Sequence, residues 1–350
     1  MKKLKIIIAD NDMDYSQRLF SALEHKYSNL DLTLSDGEGF GKLLQKRVYD
    51  IALFDVSAYS PDISLKNVKL PLVLLDEDMD ESIKLSNAIG KFIIKYQHVE
   101  VMYREMIGYF SEMGNGQTLN SGSISSQLIC FYSPAGGTGK TVISCSAAEM
   151  IANRGKRVLY LDFEDIASYG LLLDAKTGKG LDEIIYQLDK GINMPMKISS
   201  LVRKSQSGVM YFDMFSNIMD VTEITDEKMS VLLDTLMTAD ICEYIVVDMN
   251  TSLKGINSII MDKADKIILV ETPDTICGEK LRRFCEQKSM FEDYFSKAAV
   301  VRNKVTDGGA DSVTGLEVVS AVPRISGGSA ESVVDEIVKR ARLDIGRVIS

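Results

Sequence analysis

The sequence predicts an α/β protein made of two doubly wound domains, each with a parallel sheet covered by helices on both faces. Short apolar runs rich in β-branched residues alternate with amphipathic stretches of helical period along the whole chain. Several runs are apolar throughout, as in strands buried on both faces. One stretch rich in Gly, Ser and Asn, residues 111–126, interrupts this alternation. We therefore expect domains at 1–113 and 127–350 and a flexible linker at 114–126.

The first domain is predicted to contain five strands, because five β-rich apolar runs precede the linker. They are KIIIAD, LDLTLS, DIALFDV, LPLVLLD and KFIIKY. Amphipathic stretches predict helices over residues 13–27, over GKLLQKR, over ESIKLSNAIG and from Val99 onward. Residues 57–69 contain Pro61 and are too broken to predict a helix between the third and fourth strands.

The second domain repeats the pattern with seven runs that predict strands. They are QLICFYS, KRVLYLDF, GVMYFDMF, EYIVVDMN, KIILVETP, AAVVRNKV and EVVSAVP. Helices are predicted over residues 140–153, DEIIYQLD, TDEKMSVLLDTLM, EKLRRFCEQKSM and the C-terminal segment. That last helix has Val333, Val334, Ile337, Val338 and Ala341 on one face. We expect this face to pack on the sheet, and a lipid-binding helix is the alternative.

Composition excludes several classes of protein. The chain has 350 residues, 45% of them hydrophobic, which is enough to form a core. Its formal charge of -10 argues against a nucleic-acid-binding surface. Its five cysteines form no CxxC pair and there are only two histidines, so reduced core thiols are expected rather than a Cys/His metal site. The first residues become acidic too early for a signal peptide, and we expect a cytoplasmic protein.

The stretch YSPAGGTGKT, residues 132–141, lies between a predicted strand and a predicted helix. Its glycines let the backbone approach phosphate oxygens, and the N–H groups of the helix N-terminus favour an anion. Lys140 adds a positive charge and Thr141 a hydroxyl for Mg²⁺, although Pro134 replaces the first glycine of GxxxxGK[ST]. The residues expected to contact the nucleotide here are Gly136, Gly137, Thr138, Gly139, Lys140, Thr141 and Val142.

Three carboxylates follow predicted strands of the same domain. In YIVVDMN the apolar part ends at Asp248, and in VLYLDFED it ends at Asp162, with Glu164 two residues later. Asp248 is placed like the acidic residue that holds the metal in P-loop proteins, usually through water. We therefore predict that Thr141 and Asp248 hold Mg²⁺, and that Lys140, Asp162, Glu164 and Asp248 are the catalytic candidates.

Charged residues also end three strands of the first domain, namely Asp10, Asp55 and Lys95. Over residues 3–113 this pattern resembles the receiver domain of bacterial response regulators. The resemblance implies that Asp55 stands at the phosphoacceptor position, that Asp10 is one of two acidic residues that bind Mg²⁺, and that Lys95 is the lysine after the fifth strand.

This receiver-like site departs from the family pattern at two positions. Asn11 stands where the second acidic residue is expected, which weakens the Mg²⁺ site, although Asp12 could replace it. Asp76 replaces the usual Thr or Ser and would repel an incoming phosphoryl group. Two interpretations stay open: an interaction module that is never phosphorylated, and a working phosphoacceptor at Asp55.

The second domain, over residues 127–345, resembles the deviant Walker A ATPases, the group of MinD and ParA. GGTGKT matches that group's loop, Asp162 and Glu164 lie where it has Asp-x-Asp, and Asp248 fits its Walker B aspartate. Asn303 fits the asparagine that contacts adenine. The resemblance implies ATP and Mg²⁺ as cofactors and a homodimer that encloses two nucleotides.

The signature lysine of that group, which reaches the partner's phosphates, is Ala135 in this chain. Loss of one charge donor from the transition state typically lowers the rate by orders of magnitude. Arg203 and Lys280 are candidates to replace it. We therefore expect ATP binding with slow hydrolysis.

A receiver-like domain followed by a MinD-like domain resembles the TadZ and CpaE family of Flp (Tad) pilus assembly. The resemblance implies an ATP-bound homodimer at the cell pole that recruits pilus-secretion components. It also implies that the receiver-like domain makes protein contacts, and that the chain reaches the membrane only through partners.

Four alternatives are weighed against this reading. A DNA-partitioning ParA would need a basic surface, and a MinD-like protein would need a last helix that binds lipid. A bacterial tyrosine kinase would need a cluster of C-terminal tyrosines, but the last tyrosine of this chain is Tyr294. The fourth is a response regulator in which phosphorylation of Asp55 controls the ATPase domain. No nucleic-acid partner is expected.

Overall fold

The computed structural model describes residues 3–76, 80–89, 91–113, 125–287, 290–306 and 312–349, apart from the side chains at 80, 81 and 83. The chain divides into two compact units, Met1–Gln117 and Thr118–Ser350. Most of the predicted linker at 114–126 lies outside the described residues, and its bounds stay a prediction.

The N-terminal unit is a five-stranded parallel sheet in the order β2-β1-β3-β4-β5, which is the flavodoxin-like order. Its strands are β1 (Leu4–Ala9), β2 (Leu30–Ser35), β3 (Tyr49–Phe54), β4 (Val68–Leu75) and β5 (Phe92–Ile94). Its helices are α1 (Met13–Lys26), α2 (Gly37–Lys46), α3 (Asp80–Ile89) and α4 (Val99–Ser111). Between β3 and β4 the described chain forms only a 3₁₀ turn, Val56–Ala58, as the broken sequence there predicts.

Local sequence explains where these elements begin. Asp12 and Asp36 cap α1 and α2 by accepting the backbone N–H groups of Tyr15 and Gly39. In the central strand β1, three consecutive isoleucines at 6–8 are fully buried, because helices cover both faces of the sheet.

The C-terminal unit contains an eight-stranded sheet in the order β13-β12-β11-β6-β10-β7-β9-β8. Its strands are β6 (Gln127–Tyr132), β7 (Val158–Phe163), β8 (Arg203–Lys204), β9 (Met210–Tyr211), β10 (Tyr244–Met249), β11 (Lys266–Glu271), β12 (Ala298–Val305) and β13 (Val318–Pro323). Its larger helices are α5 (Lys140–Asn153), α7 (Leu181–Gln187), α8 (Met194–Leu201), α9 (Asp226–Thr238), α10 (Ile256–Lys263), α11 (Thr275–Glu286) and α13 (Ala330–Lys339). The short helices are α6 (Gly170–Leu173), α12 (Glu292–Ser296) and α14 (Ile345–Ile349). Only the β8–β9 pair is antiparallel among the described strands.

Alternate residues of the central strands enter opposite layers of the core. In β6, Leu128 and Cys130 join the apolar cluster on one face, whereas Ile129 and Phe131 join the cluster on the other. Helices therefore cover both faces, which confirms the predicted doubly wound fold for this domain as for the first.

The C-terminal helix α13 packs on the core. This helix is the last but one, since α14 follows it. Its Val334 and Ile337 are buried in the same cluster as the inner face of α5, and Val333 and Val338 pack against that cluster. The expectation that this apolar face is covered by protein is confirmed for these four residues. It is wrong for Ala341, which follows the end of the helix with φ +47° and is exposed. In the described part of the chain, no helix has the length and apolar character needed to cross a bilayer.

One predicted strand, GVMYFDMF, is mostly wrong, since only Met210–Tyr211 forms a strand. The following residues pair with a loop instead: the N–H of Met214 donates to the carbonyl of Lys176, and the Phe212 carbonyl accepts the Tyr169 hydroxyl. Asp213 binds Arg203 on β8. Because residues 212–214 bind these partners, they do not continue the strand β9.

The chain enters the C-terminal domain through a buried anchor. Ser126 is 1% exposed. Its N–H donates to the Met237 carbonyl and its hydroxyl to the Cys242 carbonyl. The anchor lies directly before β6.

Candidate functional site

The phosphate-type loop joins β6 to α5 and contains two residues with positive φ. Gly137 has φ +70° and Gly139, which precedes the first residue of α5, has φ +85°, a region that glycine adopts without steric cost. No side chain caps the N-terminus of this 14-residue helix. Its first N–H groups are therefore available for an anion.

Two consecutive residues at the end of β12 hold this loop. The Asn303 amide donates to the Thr138 carbonyl at 2.9 Å, and the Lys304 ammonium donates to the Gly137 carbonyl at 2.7 Å. A Cβ on Gly139 would lie 2.5 Å from Asn303 Nδ2, so a larger residue would displace that amide and would also strain the backbone at φ +85°. The structure thus places Asn303 against the loop, and its contact with adenine stays a prediction. Lys304 was missed from the sequence.

The three predicted carboxylates are brought together at the carboxyl ends of β7 and β10. The register pairs Asp162 directly with Asp248, and one oxygen from each of Asp162, Glu164 and Asp248 lies within 4.8 Å of the others. The Glu164 N–H donates to Asp162 Oδ1 at 2.7 Å, and Lys140 Nζ lies 3.6 Å from Glu164 Oε1. The lysine of the loop and the acidic cluster therefore form one site.

Burial makes this acidic cluster costly to ionise. Burial and the charge of Asp248 raise the pKa of Asp162 well above its usual value. Burial and the charge of Glu164 raise the pKa of Asp248 to about 7, despite the opposing effects of Thr141, Lys140 and Tyr160.

Two buried carboxylate oxygens, Asp162 Oδ2 and Asp248 Oδ1, have no hydrogen-bond partner within the residues that the structure describes. The atoms here that could coordinate a metal are all oxygens. They come from the ends of neighbouring strands, and the Thr141 hydroxyl lies beside Asp248. Hard divalent cations such as Mg²⁺ prefer such ligands. The residues present therefore fit a magnesium ion.

A buried tyrosine, Tyr160, contacts Asp248, the carboxylate predicted to hold the metal. The Tyr160 hydroxyl donates to Asp248 Oδ2 at 3.4 Å and lies 3.1 Å from Ser144 Oγ. Tyr160 is two residues before Asp162 on β7 and so lies on the same face of the strand. That spacing was the one sequence signal that could have identified it.

Position 135 offers no charge to the loop. Ala135 is buried in the apolar core cluster. Of the two suggested replacements, Arg203 binds Asp213 at the edge strands β8 and β9, whereas Lys280 lies on α11, outside the loop contacts described above. Lys304 is the lysine whose ammonium contacts the loop backbone.

A cavity of about 490 Å³ opens beside the end of β12. It is lined by residues 323–327, at the end of β13 and just after it, and by Ser332, Glu336 and Arg342. The N–H of Arg324 in this lining donates to the carbonyl of Val305, the last residue of β12. One wall of the cavity is therefore bonded to the strand that carries Asn303.

In the N-terminal domain the structure brings together Asp10, Asp55 and Lys95. The buried Lys95 ammonium lies 2.8 Å from Asp10 Oδ2 and 3.0 Å from Asp55 Oδ2. Burial opposes the charge on Lys95, but the hydrogen bonds and charges of both carboxylates raise its pKa. Burial also opposes ionisation of Asp55, but hydrogen bonds from Ser57 and Lys95 lower its pKa. The Lys95 ammonium therefore offsets the charge of one of the two carboxylates that it contacts.

The other receiver-type positions take structural roles. Asn11 donates to the Ser57 carbonyl and accepts the Gly37 N–H, which ties three loops together. Asp12 caps α1, and the N–H of Asp76 donates to Ser82 Oγ at the end of β4. Burial raises the pKa of Asp10.

The C-terminal part of the chain is similar to known proteins. Residues 126–298 match the model of a protein family described as an AAA domain. An ATP-binding protein from Methanocaldococcus jannaschii is 29% identical over 161 residues, or 40% of this chain. The chain spans 61% of the length of that curated relative.

The fold of this part is that of a solved ParA family ATPase. A ParA family ATPase from Chlorobium tepidum TLS superposes with a TM-score of 0.53 and 18% identity, covering 65% of this chain and 97% of that one. The septum site-determining protein MinD from Pyrococcus horikoshii OT3, solved with Mg-ADP, gives a TM-score of 0.46 and 16% identity, covering 62% and 97%. The family match does not extend over the N-terminal unit. The C-terminal part of the chain therefore has the α/β P-loop fold of the ParA type, and residues 126–298 of it match the AAA-domain model.

Proposed function

We propose that the C-terminal domain binds ATP with Mg²⁺ and hydrolyses it slowly, so that the nucleotide acts mainly as a structural part of a dimeric scaffold. One observation carries this proposal: the glycine loop, the helix N-terminus and Lys140 converge on the acidic cluster of Asp162, Glu164 and Asp248. The likeness to the ATP-binding protein from Methanocaldococcus jannaschii supports it.

Each residue has a defined part in this proposal. The loop N–H groups and Lys140 bind the phosphates, and Thr141 and Asp248 hold the magnesium ion. Bound Mg²⁺ would neutralise charge on the phosphate oxygens. The purine base is proposed to extend past Asn303 towards the cavity after β13.

Slow hydrolysis is proposed because the loop has no lysine at 135. Replacement of Ala135 by Lys should raise turnover, since it restores a donor for the leaving phosphate. The added side chain must leave the apolar core with its ammonium towards solvent. We would measure phosphate release at saturating ATP; an unchanged rate would mean that the missing lysine does not limit hydrolysis.

The binding proposal is tested with Lys140→Ala. We expect the variant to lose ATP binding in isothermal titration calorimetry, because the Lys140 ammonium lies 3.6 Å from Glu164 Oε1 within the site and its side chain is 5% exposed. Lys156, which pairs with Glu243 on the surface, provides the control Lys156→Ala with wild-type affinity. Unchanged affinity in Lys140→Ala would overturn the loop assignment.

We further propose a homodimer that serves in pilus assembly and secretion, on the strength of the domain order that resembles TadZ and CpaE. The test is the solution mass of the full chain without nucleotide, with Mg-ADP and with Mg-ATP, while phosphate release is followed. A dimer favoured by ATP with little release supports a scaffold. Rapid release with a transient dimer would indicate a cycling switch of the MinD type instead.

The N-terminal domain is proposed to be an interaction module rather than a phosphorylated switch. The support is that Lys95 occupies the pocket between Asp10 and Asp55, and that Asn11 is committed to loop contacts. Incubation with a small phosphodonor and Mg²⁺, followed by intact mass, should give no phosphorylated species. A product lost in Asp55→Asn would instead support the response-regulator alternative.

A further inference from the structure

Two residues at the end of β12 bind the carbonyl groups of two consecutive residues of the phosphate loop. Asn303 holds the Thr138 carbonyl, and Lys304 holds the Gly137 carbonyl. The Asn303 amide oxygen also accepts the Lys304 N–H at 2.9 Å, so the two residues act as one unit. We call them the β12 clamp.

The clamp has a direct effect on the N–H groups of the loop. In a planar trans peptide the C=O and the following N–H point in opposite directions. When Lys304 fixes the Gly137 carbonyl, the N–H of Thr138 is fixed on the other side. In the same way, Asn303 fixes the N–H of Gly139. These are two of the donors expected to face phosphate.

Few other contacts hold the tip of the loop. Gly136 and Gly137 are exposed, and a Cβ at either position would meet no described atom within 4 Å. A glycine tip without packing has many accessible conformations. The clamp is therefore well placed to decide which conformation dominates.

Lys304 itself adopts a backbone conformation that a lysine does not favour. Its φ is +57°, in the left-handed region. Such a conformation in a residue other than glycine persists only where the surroundings hold it, and it often marks a functional site. Here it accompanies the bonds from the Lys304 N–H to Asn303 and from its ammonium to the loop.

We propose that Lys304 is a positioning residue that sets how long a nucleotide stays bound, because its ammonium orients the loop and supplies there a charge that Ala135 cannot. This inference rests on the proposed ATP binding. Lys304 is outside the acidic cluster, so it acts on retention of the phosphates and not on the metal carboxylates.

The test compares dissociation of a fluorescent ATP analogue by stopped flow from the full chain and from Lys304→Met. Methionine keeps most of the side-chain length but cannot donate to the Gly137 carbonyl. We expect dissociation about tenfold faster, equivalent to about 1.4 kcal/mol, with the association rate within about twofold. Lys304→Arg should recover most of the loss, because it restores a charged donor.

A matched control is available directly before the same strand. Lys297 likewise donates to a backbone carbonyl, that of Asp262, at 2.9 Å, and among the described residues it has no hydrogen bond to the phosphate loop. Lys297→Met should therefore dissociate at the wild-type rate. Equal dissociation rates for Lys304→Met and wild type would overturn the clamp alone, whereas a wild-type chain that binds no nucleotide would overturn the proposed function and the clamp with it.

Discussion

Replacement of Asp248 by Asn should stabilise the nucleotide-free protein. Asp248 is fully buried, and its pKa rises from 3.8 to about 7 because of burial and of Glu164. Unfolding lets this group ionise in water, so its effect on the fold becomes less favourable as pH rises from about 4 to about 7 and is constant above that. Each pKa unit corresponds to about 1.4 kcal/mol, which gives about 4 kcal/mol at pH 8. Asparagine does not ionise and avoids this cost.

The assay is denaturant unfolding of the full chain, followed by circular dichroism at several pH values between 5 and 9 without nucleotide or metal. The free-energy difference between Asp248→Asn and wild type should increase from pH 5 to pH 7 and then stay constant. Asp189→Asn, at an exposed aspartate of the same domain, should show no such trend. Parallel wild-type and Asp248→Asn curves across this pH range would refute the reasoning.

The remaining predictions concern three other residues of the two sites. Tyr160→Phe should reduce the gain in nucleotide affinity on addition of Mg²⁺ by about tenfold, as expected when a residue behind a metal ligand is lost. Tyr169→Phe, which removes a buried hydroxyl bound to a backbone carbonyl, should keep the full gain in the same titration. Lys95→Met should destabilise the N-terminal domain by about 3 kcal/mol at neutral pH, because two buried carboxylates lose their counter-charge. Its unfolding curve at pH 7 checks this, and a change below about 1 kcal/mol would contradict it. Gly139→Ala should abolish nucleotide binding, since the methyl group would displace Asn303; calorimetry with retained affinity would count against the tight contact.

Strand ends explain why much of the site could be anticipated from sequence. Parallel strands bring their carboxyl ends to one edge, so residues that follow apolar runs are expected to meet there. Asp162 and Asp248 meet in this way, and their register pairs them directly. The same reasoning correctly brings Asp10 and Asp55 together in the first domain, where Lys95 joins them.

The parts that sequence did not reveal depend on contacts between distant residues. Lys304 bonds to a loop residue 167 positions away, and Tyr160 to a carboxylate 88 positions away. No spacing rule connects Lys304 with the loop, and the spacing of Tyr160 from Asp162 indicates only which face of β7 it occupies. Both contacts exist only after β12 and β7 take their places in the sheet. The strand predicted over GVMYFDMF is mostly wrong for a related reason. A loop residue, Lys176, accepts the Met214 N–H, and the Arg203 side chain binds Asp213, and neither contact can be read from the segment itself.

The anchor at Ser126 has a mechanical consequence. The strand β6 runs from Gln127 to Tyr132, so about 20 Å of extended chain separates the anchor from the phosphate loop. A pull from the preceding chain meets the bonds of Ser126 to Met237 and Cys242 first. Both bonds would have to break before such a pull could lengthen β6. The start of the strand that leads to the phosphate loop is therefore fixed to its own domain at Ser126.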